Sequence, residues 1–178
     1  MSTMKTKLRS VALATLFIGL SAIAQSATFT KTDGSVFEGD VEHMNKTEVT
    51  LKTSVGEIAA VPFADFDAAS KAAIDAWAAE NPDLVGVYAQ WDTKPVVTRS
   101  RNAVTPPALN APGFHGLVSL NVVLDEQGKV SWAEVSKSTH SGLEDAALEA
   151  IRSWAFKPAK IQGHAVKARI AISFKFES

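Results

Sequence analysis

The residues best suited to chemistry cluster in the last third of the chain. Ser138, His140 and Asp145 lie close together and are the residue types of a hydrolytic triad. Nothing around them marks an oxyanion hole or an oriented acid. Ser138 and His140 precede a helix, where turn and capping roles account for both, so the pattern predicts no enzyme. The four histidines, His43, His115, His140 and His164, lack the i, i+4 spacing of helix-borne metal ligands. His115 and His164 could still meet in space, but a metal site needs three or four ligands. With no cysteine, disulfides and thiolate sites are excluded, and no metal or cofactor is expected.

What remains is binding chemistry. Lys167, Arg169 and Lys175 alternate with apolar residues in the final segment. Val166, Ala168, Ile170, Ile172, Phe174 and Phe176 fall on one face of a strand; the three cations, with Ala171 and Ser173, fall on the other. One face is then buried and the other is wet and basic. Trp132 shares a face with Val130 by alternation. It is either an exposed contact residue or a cover for the helix or linker.

The elements that hold these residues are legible. Leu117–Leu124 is a β-prone run, Asp125-Glu126-Gln127-Gly128 a turn, and Lys129–Ser136 a returning strand. Ser141-Gly142-Leu143-Glu144 has capping-box spacing, in which the Ser141 hydroxyl and the Glu144 carboxylate each take the other residue's amide. Leu143, Ala146, Ala147, Ala150, Ile151 and Trp154 then form a helical stripe that Pro158 ends. The order is β-hairpin, helix, strand.

Upstream, Thr28–Val61 reads as four short strands with turns at Asp33-Gly34, Asn45-Lys46 and Gly56, which would make a small bent sheet or barrel. Phe66, Ala69, Ala73, Ile74 and Trp77 recur at helical spacing after Asp67, a candidate N-cap, and Asn81-Pro82 stops that helix. Residues 81–113 hold five of the seven prolines and show no periodicity, so residues 81–106 are expected to be a semi-rigid linker.

Lys5, Lys7 and Arg9 followed by the apolar run Val11–Ala24 and Ala22-Ile23-Ala24 predict a cleavable signal peptide over residues 1–24, giving a periplasmic protein. The run is shorter than the roughly 20 residues that span a bilayer. Membrane contact is expected only if it is retained. Residues 28–80 carry four basic and ten acidic residues, whereas residues 114–178 carry eight and seven. This asymmetry implies two modules, and the acidic balance argues against nucleic acid as a partner.

Residues 107–176 resemble the TonB C-terminal domain family. The resemblance is carried in order by Pro107, Gly116-Leu117-Val118, Asp125 to Val130, Ser138, Leu143 to Leu148, Trp154-Ala155-Phe156-Lys157-Pro158-Ala159, Gly163 and Val166 with the alternating last strand. Three positions depart from it: Ala108-Leu109-Asn110 replaces the usual Tyr-Pro start, His140 stands near a usual Gly, and Glu144 replaces Asp. Residues 27–80 resemble the Sla-type homology domain, through Thr32-Asp33-Gly34 and Val61-Pro62-Phe63-Ala64-Asp65-Phe66. Together the resemblances imply an α+β chain: a small SH3-like barrel with a helix (27–80), a linker (81–106) and a ββαβ module (107–178).

The TonB resemblance further implies capture of a polypeptide segment of an outer-membrane transporter or other envelope protein by strand addition, in TonB-dependent transport. The expected site is Val166, Lys167, Ala168, Arg169, Ile170, Ala171, Ile172, Ser173 and Phe174. The alternative is a non-energised envelope adaptor with two protein- or cell-wall-binding modules. Monomer and strand-exchanged homodimer both stay open.

Overall fold

A computed structural model describes residues 27–53 and 55–177; the expected signal peptide lies outside them. Among the described residues the chain is mixed α+β, mostly strands with two α-helices.

The first four strands are β1 (Ala27–Thr30), β2 (Val36–Met44), β3 (Glu48–Thr53) and β4 (Ile58–Pro62), an antiparallel meander in sequence order. Side chains fix the turns: Asp33 accepts the Ser35 amide at 2.8 Å, and Asn45 accepts those of Thr47 and Glu48 at 2.8 and 2.9 Å. The expected barrel does not close. β1 has four residues, all paired to β2, and β4 pairs only with β3. The end of the sheet is covered instead by Phe66 and helix α1 (Ala68–Glu80). Phe29, Val49, Leu51, Val61, Phe66 and Ile74 form this core.

Asp67 caps α1 as expected, accepting the Ser70 amide at 2.7 Å. The buried stripe differs from the apolar reading, however: Ser70 is buried, while Ala69 and Ala73 are exposed. Ser70 tolerates burial because its hydroxyl accepts the Thr30 amide at 2.8 Å, which ties α1 to the end of β1.

Residues 81–106 are not a free spacer. β5 (Val87–Tyr88) and β6 (Val96–Arg99) lie within them, and both pair with strands of the C-terminal module. That module contains β7 (His115–Leu124), β8 (Val130–Ser138), helix α2 (Glu144–Arg152), β9 (Ala155–Lys157), β10 (Ala159–Ile161) and β11 (His164–Glu177). Its main sheet has the order β10-β11-β7-β8, and β11 pairs with β7 without a register shift from Ala168 to Glu177. Val118, Leu120, Val122 and Leu124 of β7 meet Leu143, Ala147, Ala150 and Ile151, with Phe174 and Phe176 of β11 completing the core.

The capping box is not formed as expected. Leu143 stands at the N-cap without a side-chain bond, and the Glu144 carboxylate accepts the Gly142 amide at 2.7 Å. In the preceding loop the Ser138 hydroxyl donates to the His140 carbonyl at 2.9 Å.

The hairpin turn is built as read. Asp125 accepts the amides of Gln127 and Lys129 at 2.9 and 2.8 Å. Gly128 has φ 77°, and a Cβ there would sit 2.0 Å from the Phe156 carbonyl oxygen. The approach is required because the Phe156 amide donates to the Gly128 carbonyl at 2.8 Å, docking β9 on the turn. Gly128→Val should therefore lower the unfolding free energy by about 2–4 kcal/mol. A urea midpoint equal to that of the unaltered protein would show that β9 does not need this approach.

Candidate functional site

β11 places all nine sequence-predicted residues on one strand, with the alternation expected. Ala168, Phe174 and Phe176 are buried; Ile170 and Ile172 are partly buried against the α2 core. On the opposite face Ala171, Ser173 and Lys175 are exposed. Lys167 and Arg169 are not.

The edge of β11 away from β7 divides in two. β10 pairs with His164–Val166, and β5 pairs in parallel with Lys167 and Ala168. Among the described residues no strand pairs with the remainder, Arg169–Glu177. Val166, Lys167 and Ala168 thus already have a neighbour from their own chain, whereas Arg169, Ile170, Ala171, Ile172, Ser173 and Phe174 border an open edge. Asn102, Ala103 and Thr105 line a cleft beside Ser173–Glu177 together with Trp154. The Trp154 ring packs edge-on against Phe174 at 5.4 Å, and its indole donates to the Arg101 carbonyl at 2.8 Å. Trp154, read as a core residue, is half-buried and shared between the end of α2 and the strap that residues 81–106 form across the module.

The opposite end of the strand is covered. Arg169, Val123 and Trp132 stand opposite one another across β11, β7 and β8, on the face away from α2. Leu84 and Val87 pack on Val123, with Trp77 and Trp132 alongside. Burying an aliphatic side chain of this size contributes about 1.5–3 kcal/mol. Trp132 is therefore a seat for the strap and for the end of α1. It does not share a face with Val130: a register shift between Val123 and Leu124 lets Val130 turn toward the α2 core while Trp132 turns away.

The cations at this end are engaged. The Lys167 ammonium donates to the carbonyls of Pro82 and Val85, at 3.2 and 3.3 Å. Arg169 forms an ion pair with Glu42 of β2, and their side chains are only 15% and 11% exposed. Removing either partner would strand a charge away from water. No sequence signal singled out Glu42, one of ten acids in its module. Its role follows only from the docking of two sheets.

His43 lies next to this pair. It is buried, its Nε2 is 3.2 Å from the Thr50 hydroxyl, and its Nδ1 has no hydrogen-bond partner among the described residues. Burial first, and the Arg169 charge second, push its pKa down to about 4, against a smaller opposing effect of Glu42. The ring is neutral at pH 7.

The remaining candidates separate. Ser138 bonds the His140 backbone, and the His140 ring contacts the Thr139 hydroxyl at 2.9 Å. His115 pairs with Glu177 and His164 with Ile161, at opposite ends of β11 and roughly 40 Å apart along the strand. Among the described residues no group of three or more His, Cys, Asp or Glu could hold a metal ion, and no helix is long and apolar enough to cross a membrane.

A family model described as "Gram-negative bacterial TonB protein C-terminal" matches residues 104–177. Two proteins named TonB, from strain B100 and a second strain of Xanthomonas campestris pv. campestris, are each 33% identical over 72 residues. That match covers 40% of this chain and 32% of theirs, so the chain spans about a third of the length of these curated relatives. The solution NMR structure of the Pseudomonas aeruginosa TonB CTD is similar over 52% of this chain and 95% of that chain, with 26% identity and a TM-score of 0.36. The C-terminal module, residues 104–177, belongs to the TonB C-terminal domain family.

The depressed pKa of His43 gives a pH dependence with a defined sign. Between pH 6.5 and 4 the unfolded chain binds this proton and the folded one does not. The stabilisation is therefore complete above 6.5 and is lost as pH falls toward 4, by up to about 3 kcal/mol. His43→Leu should flatten the stability profile across that window in urea titrations. An unchanged slope would show that the ring is protonated without cost.

Proposed function

We propose that this protein binds polypeptide segments in the cell envelope by strand addition to the open part of β11, Arg169–Glu177. The observation that carries this reading is the unpaired edge itself, in a module of the TonB C-terminal domain family. Backbone amides and carbonyls along such an edge supply affinity without demanding a particular sequence, and flanking side chains select the partner.

The opposite edge, β8, is the weaker candidate. Its pairing with β7 contains two register shifts, whereas β11 runs straight. Bulged edges twist away from an incoming strand. The side chains also differ. Beyond the covered end, the face beside β11 offers Lys175 and the hydroxyls of Ser173 and Ser119, 3.0 Å apart, while Asn121 on β7 is bonded to Glu134 of β8. A partner strand with acidic residues fits the β11 side.

The partner class that the family implies is a segment of an outer-membrane transporter or another envelope protein, met in the periplasm. The arrangement favours the adaptor form of this reading. Residues 81–106, which as a spacer would give reach, are bonded along their length to the C-terminal module: Asp92 accepts the Gln162 amide at 2.6 Å, the Thr98 hydroxyl donates to Ala155 at 3.0 Å, and the Arg99 guanidinium donates to Ser153 at 3.1 Å. A strap so held keeps the two modules together and does not transmit pull over distance.

A model peptide of alternating glutamate and valine tests the site. Titrated into the labelled protein, it should shift the amides of Arg169–Glu177 and leave those of β8 in place. Lys175→Glu should weaken binding roughly 3- to 10-fold, the scale of a rim charge. Shifts confined to β8, or none at all, would remove β11 as the capture edge.

A further inference from the structure

The stretch of the β11 edge that precedes the open part is filled by the protein itself. Pro82–Tyr88 approaches β11 as a partner peptide would. Val87 and Tyr88 add a short parallel strand at Lys167 and Ala168, and Leu84 and Val87 are buried on Val123. The carbonyls of Pro82 and Val85 take the Lys167 ammonium, and Glu42 takes the Arg169 guanidinium. Backbone pairing and aliphatic anchors are the contacts that strand addition offers an external ligand, and here β2 adds a carboxylate on the strand cation beside them.

The occupant is lightly held as a strand. Its ladder covers two residue pairs, and Gly86, at φ 76°, turns the chain just before it. On its other side the segment reaches β2 through a single bridge, Val85 to Met44. The remaining hold comes from the Lys167 bonds and the apolar seat on Val123, while Glu42, on the neighbouring sheet, fixes Arg169 beside the segment.

We propose that Pro82–Tyr88 is a displaceable internal ligand of the C-terminal module, latched by Glu42 on Arg169. A partner strand that brings its own carboxylate to Arg169 and an aliphatic residue to Val123 replaces it. This rests on the strand-addition reading and adds its regulation. On β11 the resting protein exposes the outer edge from Arg169 onward. Releasing the latch extends that edge back through Lys167 and frees the N-terminal module from the sheet. Selectivity follows from the competition, because a neutral strand cannot take Arg169 from Glu42 without leaving the cation unpaired.

Amide exchange on the intact protein, together with a labelled peptide copying residues 82–90, tests the proposal. Glu42→Gln removes the latch charge and keeps its shape; Val87→Ser removes the anchor and guards against a fold defect peculiar to the first change. In each variant, exchange at Val87, Tyr88 and Lys167 should accelerate at least about tenfold while Val118–Leu124 stays protected. The peptide should then bind the variants at least about tenfold more tightly than the unaltered protein, which holds its own copy. Exchange unchanged in both variants would overturn the proposal. So would accelerated exchange without uptake of the peptide, since the segment would then be a packing element and not a ligand. If the copied peptide binds an opened variant but the glutamate–valine peptide does not, the displaceable segment stands. Capture of acidic partner strands is then what fails.

Discussion

A strand at the end of a sheet must do something with the edge it does not share, and β11 governs this protein through that requirement. Its inner edge is satisfied by β7 over ten residue pairs. Its outer edge is satisfied in pieces, by β10 and then β5, and then stops being satisfied among the described residues. Each piece fixes something larger. β10 brings β9 and the strap to the sheet, and β5 brings the N-terminal module. The open stretch remains as a surface that another polypeptide can complete.

The faces of β11 follow the same division. Toward α2, Phe174 and Phe176 enter the core that β7 and the helix define, so this face is fixed by burial. Away from α2 the strand changes character along its length. At Arg169 the row continues through Val123 and Trp132 and is covered, whereas at Ala171 and Ser173 it continues through Asn121 and Ser119 and is polar. The covered and wet parts meet between Arg169 and Ala171.

Much of this was legible in the sequence where order is local. The Asp125–Gly128 turn, the Asp67 cap, the α2 stripe and the period-2 alternation of β11 each depend on residues a few positions apart, and each stands as read. What escaped depends on distant partners. Residues 81–106 show no periodicity because each contact lasts one to four residues, with β11, β10, β9 and Trp154 in turn. Trp132 changed faces through one bulge, which alternation cannot anticipate. Lys167 and Arg169 were read as a wet stripe because their partners, Pro82, Val85 and Glu42, stand 82 to 127 residues away. Strand count allowed a bent sheet or a barrel and the Sla-type resemblance implied the barrel, but the pairing of β1 with β2 alone leaves the sheet open.

The charge difference between the modules invites the view that they are held together by bulk attraction, but magnitudes speak against it. At physiological salt the screening length is about 8 Å, so dispersed surface acids on one module act weakly on the other. The association has a dry seat, where Leu84, Val87, Val123, Trp77 and Trp132 exclude water, and next to it a single ion pair in a low-dielectric setting. The apolar seat supplies most of the affinity, because a buried pair roughly cancels its own desolvation. The pair supplies register instead: Glu42 is the residue left over at the bulge between Val41 and His43, and it is this position that meets Arg169. His43, next along β2 and kept neutral by burial and by Arg169, adds no second charge to that setting. Specificity of docking therefore rests on one acid among ten, Glu42.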